Sequence, residues 1–447
     1  MAVNLSRNTK VFISTNTTDT LGDFTPSNTF EIQVMDGYTF NQNTEQQTIT
    51  LSEAGTAPVR GERSFNSKLN PVEWSLSTYI RPYLASGVVT APEKFLWNAL
   101  MGSAAIDATG VALSAGQRNS ATEAQVTTSA QLFADAADAV GQMITIRGIA
   151  GNTAYNAEFK VTSVTGTTTQ VVKFETDTDL TSTAPTFAGT PKAFKGQWRE
   201  DASKAITSTI GSNRNSLQSF TLLFKVDNTM YKVASCAVNQ ADIQFDITGI
   251  AMIAWSGFGT TLSTPSLTFV AGTHYTAFPS AADNYITNKL STTTLVSNIS
   301  GTAGTTYTVP ITGGNLTISN NIEYLTPENM GVVNNAIGYF TGNRSITGAL
   351  NAYLKTGSNE SSTLLADIVA GLATTSETKF KLQIEIGGAA SATRVECLMN
   401  GCQLQVPTVD IQDVVSTVIN FTAQGYNGTD YEISKTNNLV VSYYGVA

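Results

Sequence analysis

In the stretch from Ala241 to Gly259, apolar Ile243, Phe245 and Ile247 alternate with Asp242, Gln244, Asp246 and Thr248. A period of two gives a strand with one covered and one wet face. Beyond Gly249 both parities turn apolar, through Ile250, Ala251, Met252, Ile253, Ala254 and Trp255. One long strand is therefore expected to run from a half-exposed surface into covered surroundings, bent at Gly249.

Similar patterns recur on both sides. Phe30, Ile32 and Val34 alternate before Asp36-Gly37, and Tyr38 and Phe40 follow, which predicts a hairpin. Trp74, Leu76, Thr78 and Ile80 share a parity in a strand over 73–83. The polar stretch 52–69 before it has the length of an arm or binding loop. Phe95, Leu96, Ala99 and Leu100 form one stripe and predict a helix over 92–101, stopped by Gly102. Strands are expected at 220–226 and 231–238.

The order then repeats. Strands at 315–318, 322–325 and 345–354 precede a helix over 361–372, whose stripe is Leu364, Leu365, Ile368 and Leu372. Strands at 379–386, 393–399 and 403–423 follow, and 437–446 reads as an added strand. A period of about 200 residues is too long for a solenoid and predicts a duplicated domain. The interrupted pattern gives a first domain over 1–109 plus 196–260, a β-rich insert over 110–195, a packed connector over 261–308 with strands at 285–290 and 294–296, and a second domain over 309–447. The fold class is mainly β: two tandem domains of sandwich or barrel-forming type, each with one packed α-helix, plus the small inserted domain.

Composition narrows the function. At 447 residues and 41% hydrophobic the chain can fill several cores, and only 13% charged residues beside abundant Thr, Ser, Asn and Gly suits β structure with many turns. A net charge of −9 argues against a protein that grips nucleic acid, because gripping needs Lys and Arg to replace phosphate counterions. The N-terminal stretch shows no signal-peptide core and no long apolar run occurs, so neither export nor membrane insertion is expected. Cys236, Cys397 and Cys402 lie in apolar strand-like stretches and read as buried reduced thiols.

Candidate chemistry is sparse. His274 is the one histidine and stands in the Thr/Ser-rich connector, which disfavours a His-based triad or multi-His metal site. Gly257-Phe258-Gly259 lacks the rest of a dinucleotide loop. The pairs Asp242/Asp246 and Asp410/Asp413 could serve glycoside hydrolysis, but they also suit a solvated face, and no aromatic sugar cleft surrounds them. No catalytic, metal or cofactor residue is assigned, and no enzyme activity is expected. A secreted carbohydrate-binding β-sandwich protein and a virion decoration protein stand as alternatives to the reading below.

Seven segments carry a resemblance: LSRNTKVFIST from Leu5, EAGTAPVRGERSFN from Glu53, LNPVEWSLSTYIRPY from Leu69, CAVNQADIQFDITGIAMIAWSGFG from Cys236, VPITGGNLTISNNIEYLTP from Val309, SITGALNAYL from Ser345 and VPTVDIQDVVSTVINFTA from Val406. Together they resemble the tail tube proteins of long-tailed bacteriophages, in the subgroup whose tube fold is duplicated within one polypeptide. The resemblance implies a structural virion protein, assembled in the host cytoplasm, whose homotrimers form pseudo-hexameric rings stacked into a tube. Inner strands would close a continuous β-barrel through which DNA passes without specific binding during delivery into the host cell. Asp242, Gln244, Asp246, Asp410 and Gln412 would face the lumen, and Glu53, Arg60, Glu62 and Arg63 would reach the neighbouring ring. Implied partners are further copies of the chain, the tape measure protein, the tail tip or baseplate, the head-tail terminator and, in a contractile tail, a sheath protein. The insert departs from the pattern and is expected on the outer surface, and no immunoglobulin-like domain is expected after Ala447.

Overall fold

The computed structural model describes residues 9–18, 20–49, 62–85, 88–102, 110–120, 122–133, 136–139, 143–150, 155, 158–176, 187, 189–195, 198–201, 205–209, 217–247, 249–279, 285–297, 305–327, 335–372, 379–387, 393–410, 415–425 and 438–444. The chain begins with β1 (Thr9–Ser14), β2 (Thr29–Ile32), β3 (Thr39–Ile49), β4 (Arg63–Tyr79) and helix α1 (Lys94–Met101). Next come β5 (Val111–Arg118), β6 (Glu123–Thr128), β7 (Met143–Ile149), β8 (Glu158–Thr165), β9 (Val171–Glu175) and β10 (Gly189–Lys195), which close into a barrel of their own. Then follow β11 (Phe220–Val226), β12 (Thr229–Asp246) and β13 (Met252–Gly259). The rest holds β14 (Thr292–Ser297), β15 (Ile311–Ser319), β16 (Ser345–Tyr353), helix α2 (Ser361–Leu372), β17 (Phe380–Gly387), β18 (Arg394–Leu404), β19 (Ser416–Ala423) and β20 (Val440–Tyr444).

The same pairing scheme appears twice. In the first instance β2, β1, β11 and the start of β12 form one sheet, while β3, β4, β13 and the end of β12 form another. In the second, β14, β17 and the start of β18 form one sheet, with the short strand Thr306–Tyr307 at the place of β2. There β15, β16, β19 and the end of β18 form the other. A long strand, β12 or β18, thus passes between two sheets, and each time it carries a bulge opposite a phenylalanine. Phe220 faces Cys236 where one register shifts, and Phe380 faces Cys402 where the other does.

A swapped aromatic and glycine mark the equivalence at the level of single side chains. Gly257 on β13 pairs with Trp74 on β4, and a Cβ added there would lie 2.6 Å from the indole. At the matching place Gly348 on β16 pairs with Phe421 on β19, and an added Cβ would lie 2.8 Å from Phe421 Cε1. Each pair provides one ring and one open backbone to receive it, so the volume is conserved while the strands exchange roles.

One core joins both sets of sheets and both helices, from Val11 through Trp255 to Phe421 and Tyr443. The six-stranded barrel has a separate core, which includes Val126, Ile144, Ile146, Val161 and Phe174. Its first and last strands pair antiparallel, Lys192 with Ala112 and Ala193 with Val111, so the chain enters and leaves the barrel side by side. The sequence pattern in the insert gives strands at 143–149, 158–164 and 169–174, which match β7, β8 and β9, but it gives none for β5, β6 and β10, whose Ala, Ser, Thr and Gly make no clear apolar run.

Four other expectations are corrected. Residues 241–259 are not one strand, since β12 ends at Asp246 and the chain reverses before β13. The Asp246 carboxylate accepts the Gly249 N–H within this turn, and the apolar residues Ile247 and Ile250 are exposed. Strand β2 pairs with β1 and not with β3, because the turn at Asp36-Gly37 carries the chain from one sheet to the other. The end of the expected loop 52–69 is strand, with Ile49 opposite Arg63 and Thr44 opposite Leu69, while 52–61 lies outside the described residues. Within 261–308, 285–290 is a bridge and a 3₁₀ turn, and β14 pairs with β17, so this Thr-rich piece is sheet shared with the second set.

Candidate functional surface

The sheet β3-β4-β13-β12 runs without a break into β15-β16-β19 and the strand Thr408–Asp410. The junction between the two sets is an ordinary antiparallel ladder, from Gln240 opposite Ser319 to Asp246 opposite Gly313. Because strand side chains alternate, one face of this eight-strand surface is apolar and the other polar. Ile253, Ile243, Leu316, Gly348 and Phe421 form a cross-strand row on the inward face. Trp255 lies on the same side and its indole N–H donates to Thr78 Oγ1 at 2.9 Å.

The opposite face carries the first three candidate residues. Ser77, Ala254, Asp242, Thr317, Thr347 and Thr422 form one continuous row across both sets. Tyr79, Met252, Gln244, Asn315, Ala349 and Asn420 form the next. Asp242 is half-buried and accepts Thr317 Oγ1–H at 2.7 Å and Gln244 Nε2–H at 2.8 Å, while Gln244 and Asp246 are exposed. Segments 72–79, 240–246, 252–259, 311–319, 345–353 and 416–423 contain Glu73, Asp242 and Asp246 but no Lys, Arg or His. Over these segments the polar face carries negative charge and no cation, whereas Arg63 and Lys68 lie further along β4, in the arm of the β3–β4 hairpin.

Asp410 ends the strand Thr408–Asp410, opposite Ser416, so its backbone continues the same sheet. Gln412, Glu53 and Arg60 lie outside the described residues. Glu62 and Arg63 are exposed at the far end of the β3–β4 hairpin, where Lys68 Nζ and Glu45 Oε2 form a 2.9 Å ion pair. In the second set the hairpin Ile322–Leu325 with Gly338–Thr341 leaves the sheet at the matching point between β15 and β16. It folds back, with the Tyr324 hydroxyl donating to Ser235 O at 2.8 Å and the Tyr339 hydroxyl to Leu217 O at 2.8 Å. Its outer side exposes Leu325, Ile337 and Phe340.

Two surfaces escape sequence reasoning. Among the described residues β3 pairs only with β4, and Thr408–Asp410 only with β19, so the eight-strand sheet ends in two open edges. Which strand lies at an edge depends on distant partners, and no local pattern reports it. The cysteines, by contrast, match their expected state: all three are free and buried, and burial pushes the Cys397 thiol up to about 12.

A family model described as phage tail tube protein matches residues 71–425, a span that covers every strand of the polar face except β3 and the first residues of β4. The chain is also similar to the tail tube protein pb6 of Escherichia phage T5, with 28% identity over 461 residues that take in 99% of this chain and 79% of that one. Its mainly antiparallel sheets fit that match, and the chain belongs to the phage tail tube protein family, structural components of the virion tail.

Proposed function

We propose that three copies of this chain close into a ring, that each copy supplies two equivalent units, and that stacked rings form the channel through which the phage genome is delivered. The observation that carries this reading is the ladder between β12 and β15. Inside one chain, the last strand of one unit already pairs with the first strand of the next. The strand Thr408–Asp410 and β3 hold the corresponding positions at the two open ends. Pairing these edges between copies repeats the internal junction and leaves no exposed edge to aggregate, which is the advantage of a closed sheet.

The units are assigned to 1–109 with 196–260 and to 309–447, the second completed by β14 and the strand Thr306–Tyr307 from the joining stretch 261–308, and the barrel over 110–195 is assigned to the outside. In this ring the polar face lines the bore. Asp242, Gln244, Asp246, Asp410 and Gln412 face it, and its negative charge keeps phosphate from adhering, so DNA slides without specific contacts. The arm with Glu53, Arg60, Glu62 and Arg63 contacts the neighbouring ring, as does the hairpin 322–341. The protein is structural, without catalysis, and meets the tape measure protein, the tail tip or baseplate, the terminator and, in a contractile tail, the sheath.

Charge reversal on the face tests this. Phage carrying Glu73→Lys, Asp242→Lys and Asp246→Lys should assemble tails of normal length yet lose at least tenfold in infectivity, with DNA retained after triggering. Normal ejection by such tails would contradict a channel-lining role.

A further inference from the structure

The two helices hold corresponding places in the two units, yet their surroundings differ. In α1 the six consecutive residues Leu96 to Met101 are all buried, which no single apolar stripe can produce. One side packs on its own unit, where the Trp97 and Trp255 rings meet edge to face at 5.1 Å. The other side is covered from the second unit. Trp97 Nε1–H donates to the Tyr443 hydroxyl on β20 at 2.6 Å, and Asn320 Nδ2–H donates to Leu100 O at 2.9 Å. Helix α1 is thus a wedge between one unit and the next.

Helix α2 has only half of that environment. It buries Ser361, Leu364, Ile368 and Gly371 against its own unit, with the Tyr307 hydroxyl donating to Asp367 at 2.6 Å. Ala366, Val369 and Ala370 stay exposed, Val369 at 51%. Among the described residues no further unit covers α2 as the second unit covers α1.

We propose that this face of α2 docks on a second copy of the chain and wedges the junction between copies, as α1 wedges the junction within one. The inference rests on the ring reading and adds a contact away from the strand edges. Small Ala366 and Ala370 beside Val369 allow close approach, and a neighbouring copy is the occupant because the internal junction shows the same contact already made.

The test uses the full chain with Val369→Cys, since the three native cysteines are buried and give little background. A maleimide reagent should label the introduced thiol within minutes in unassembled chain and at least tenfold more slowly in tubes collected by sedimentation. Equal labelling in both states, or slow labelling in both, overturns the proposal while leaving the ring intact. A second variant, Ala366→Glu with Val369→Glu, should keep the folded circular dichroism spectrum and fail to form tubes; tubes in wild-type yield would overturn it. If wild-type chain forms no rings or tubes at all, the ring reading falls and this inference falls with it.

Discussion

Glu93 is a carboxyl held out of water. It is fully buried just before α1, and removal from water pushes its carboxyl up to about 7, an effect only partly offset by hydrogen bonds, including the Arg81 N–H at 3.2 Å, and by the Arg81 charge. Arg81 is itself held elsewhere, with its guanidinium 4.3 Å from the Tyr285 ring and donating to Gln33. A raised carboxylate value means that the folded state prefers the proton. The stability linked to Glu93 is complete below its ordinary value of 4.5 and is lost as pH rises through about 7. Glu93→Gln, which keeps the neutral shape, should therefore stabilise the chain at pH 8 by roughly 3 kcal/mol and change little at pH 4. Urea unfolding at the two pH values measures it, and equal midpoints at pH 8 would contradict the assignment. Gly257 offers a second residue-scale test. Gly257→Ala pushes a methyl against the Trp74 indole and the Ala237 backbone, so it should cost about 1–3 kcal/mol in the same assay. Unchanged stability would mean that the ring-over-glycine contact is looser than described.

At the scale of elements, the inserted barrel should be separable. Its strands close on one another, its core is distinct, and its first and last strands pair side by side. Replacing 110–195 with a short glycine-serine linker should give a chain that still assembles, and the excised segment should fold alone with a cooperative thermal transition. Loss of assembly on deletion would show that the barrel is part of the ring wall. The same comparison shows what a sequence makes legible. Strict alternation in 241–246 is enough to identify β12 and its two faces, because pleat and periodicity coincide. The stripe of α1 is equally plain, although its burial on all sides is not, since the cover comes from Tyr443, far away in the chain. The reversal after Asp246 is hidden because Ile247 and Ile250 are apolar yet exposed in the turn. The expected strand at 294–296 matches β14, but its Thr-rich composition does not tell which unit it joins, and only its ladder with β17 reveals that.

For the whole molecule, the duplication was legible as a repeated order of elements, and the polar face as a repeated parity. The open edges and the uncovered side of α2 were not, since both are defined by what fails to pair in a three-dimensional arrangement. They matter most for assembly. Among the described residues the β12–β15 junction is finished inside the chain and the edges at β3 and Thr408–Asp410 are open, and the proposed ring closes those edges with copies of the chain. The β12–β15 ladder supplies the template, and α1 supplies the wedge that seals it. The direct measurement is an end-on reconstruction of an isolated tube by electron microscopy. Three chains per ring, with six alternating units around a bore faced by Asp242 and Asp246 and with β3 paired to the 408–410 strand of the next copy, is the predicted result. Six whole chains per ring, or a bore from which Asp242 and Asp246 are turned away, would contradict it.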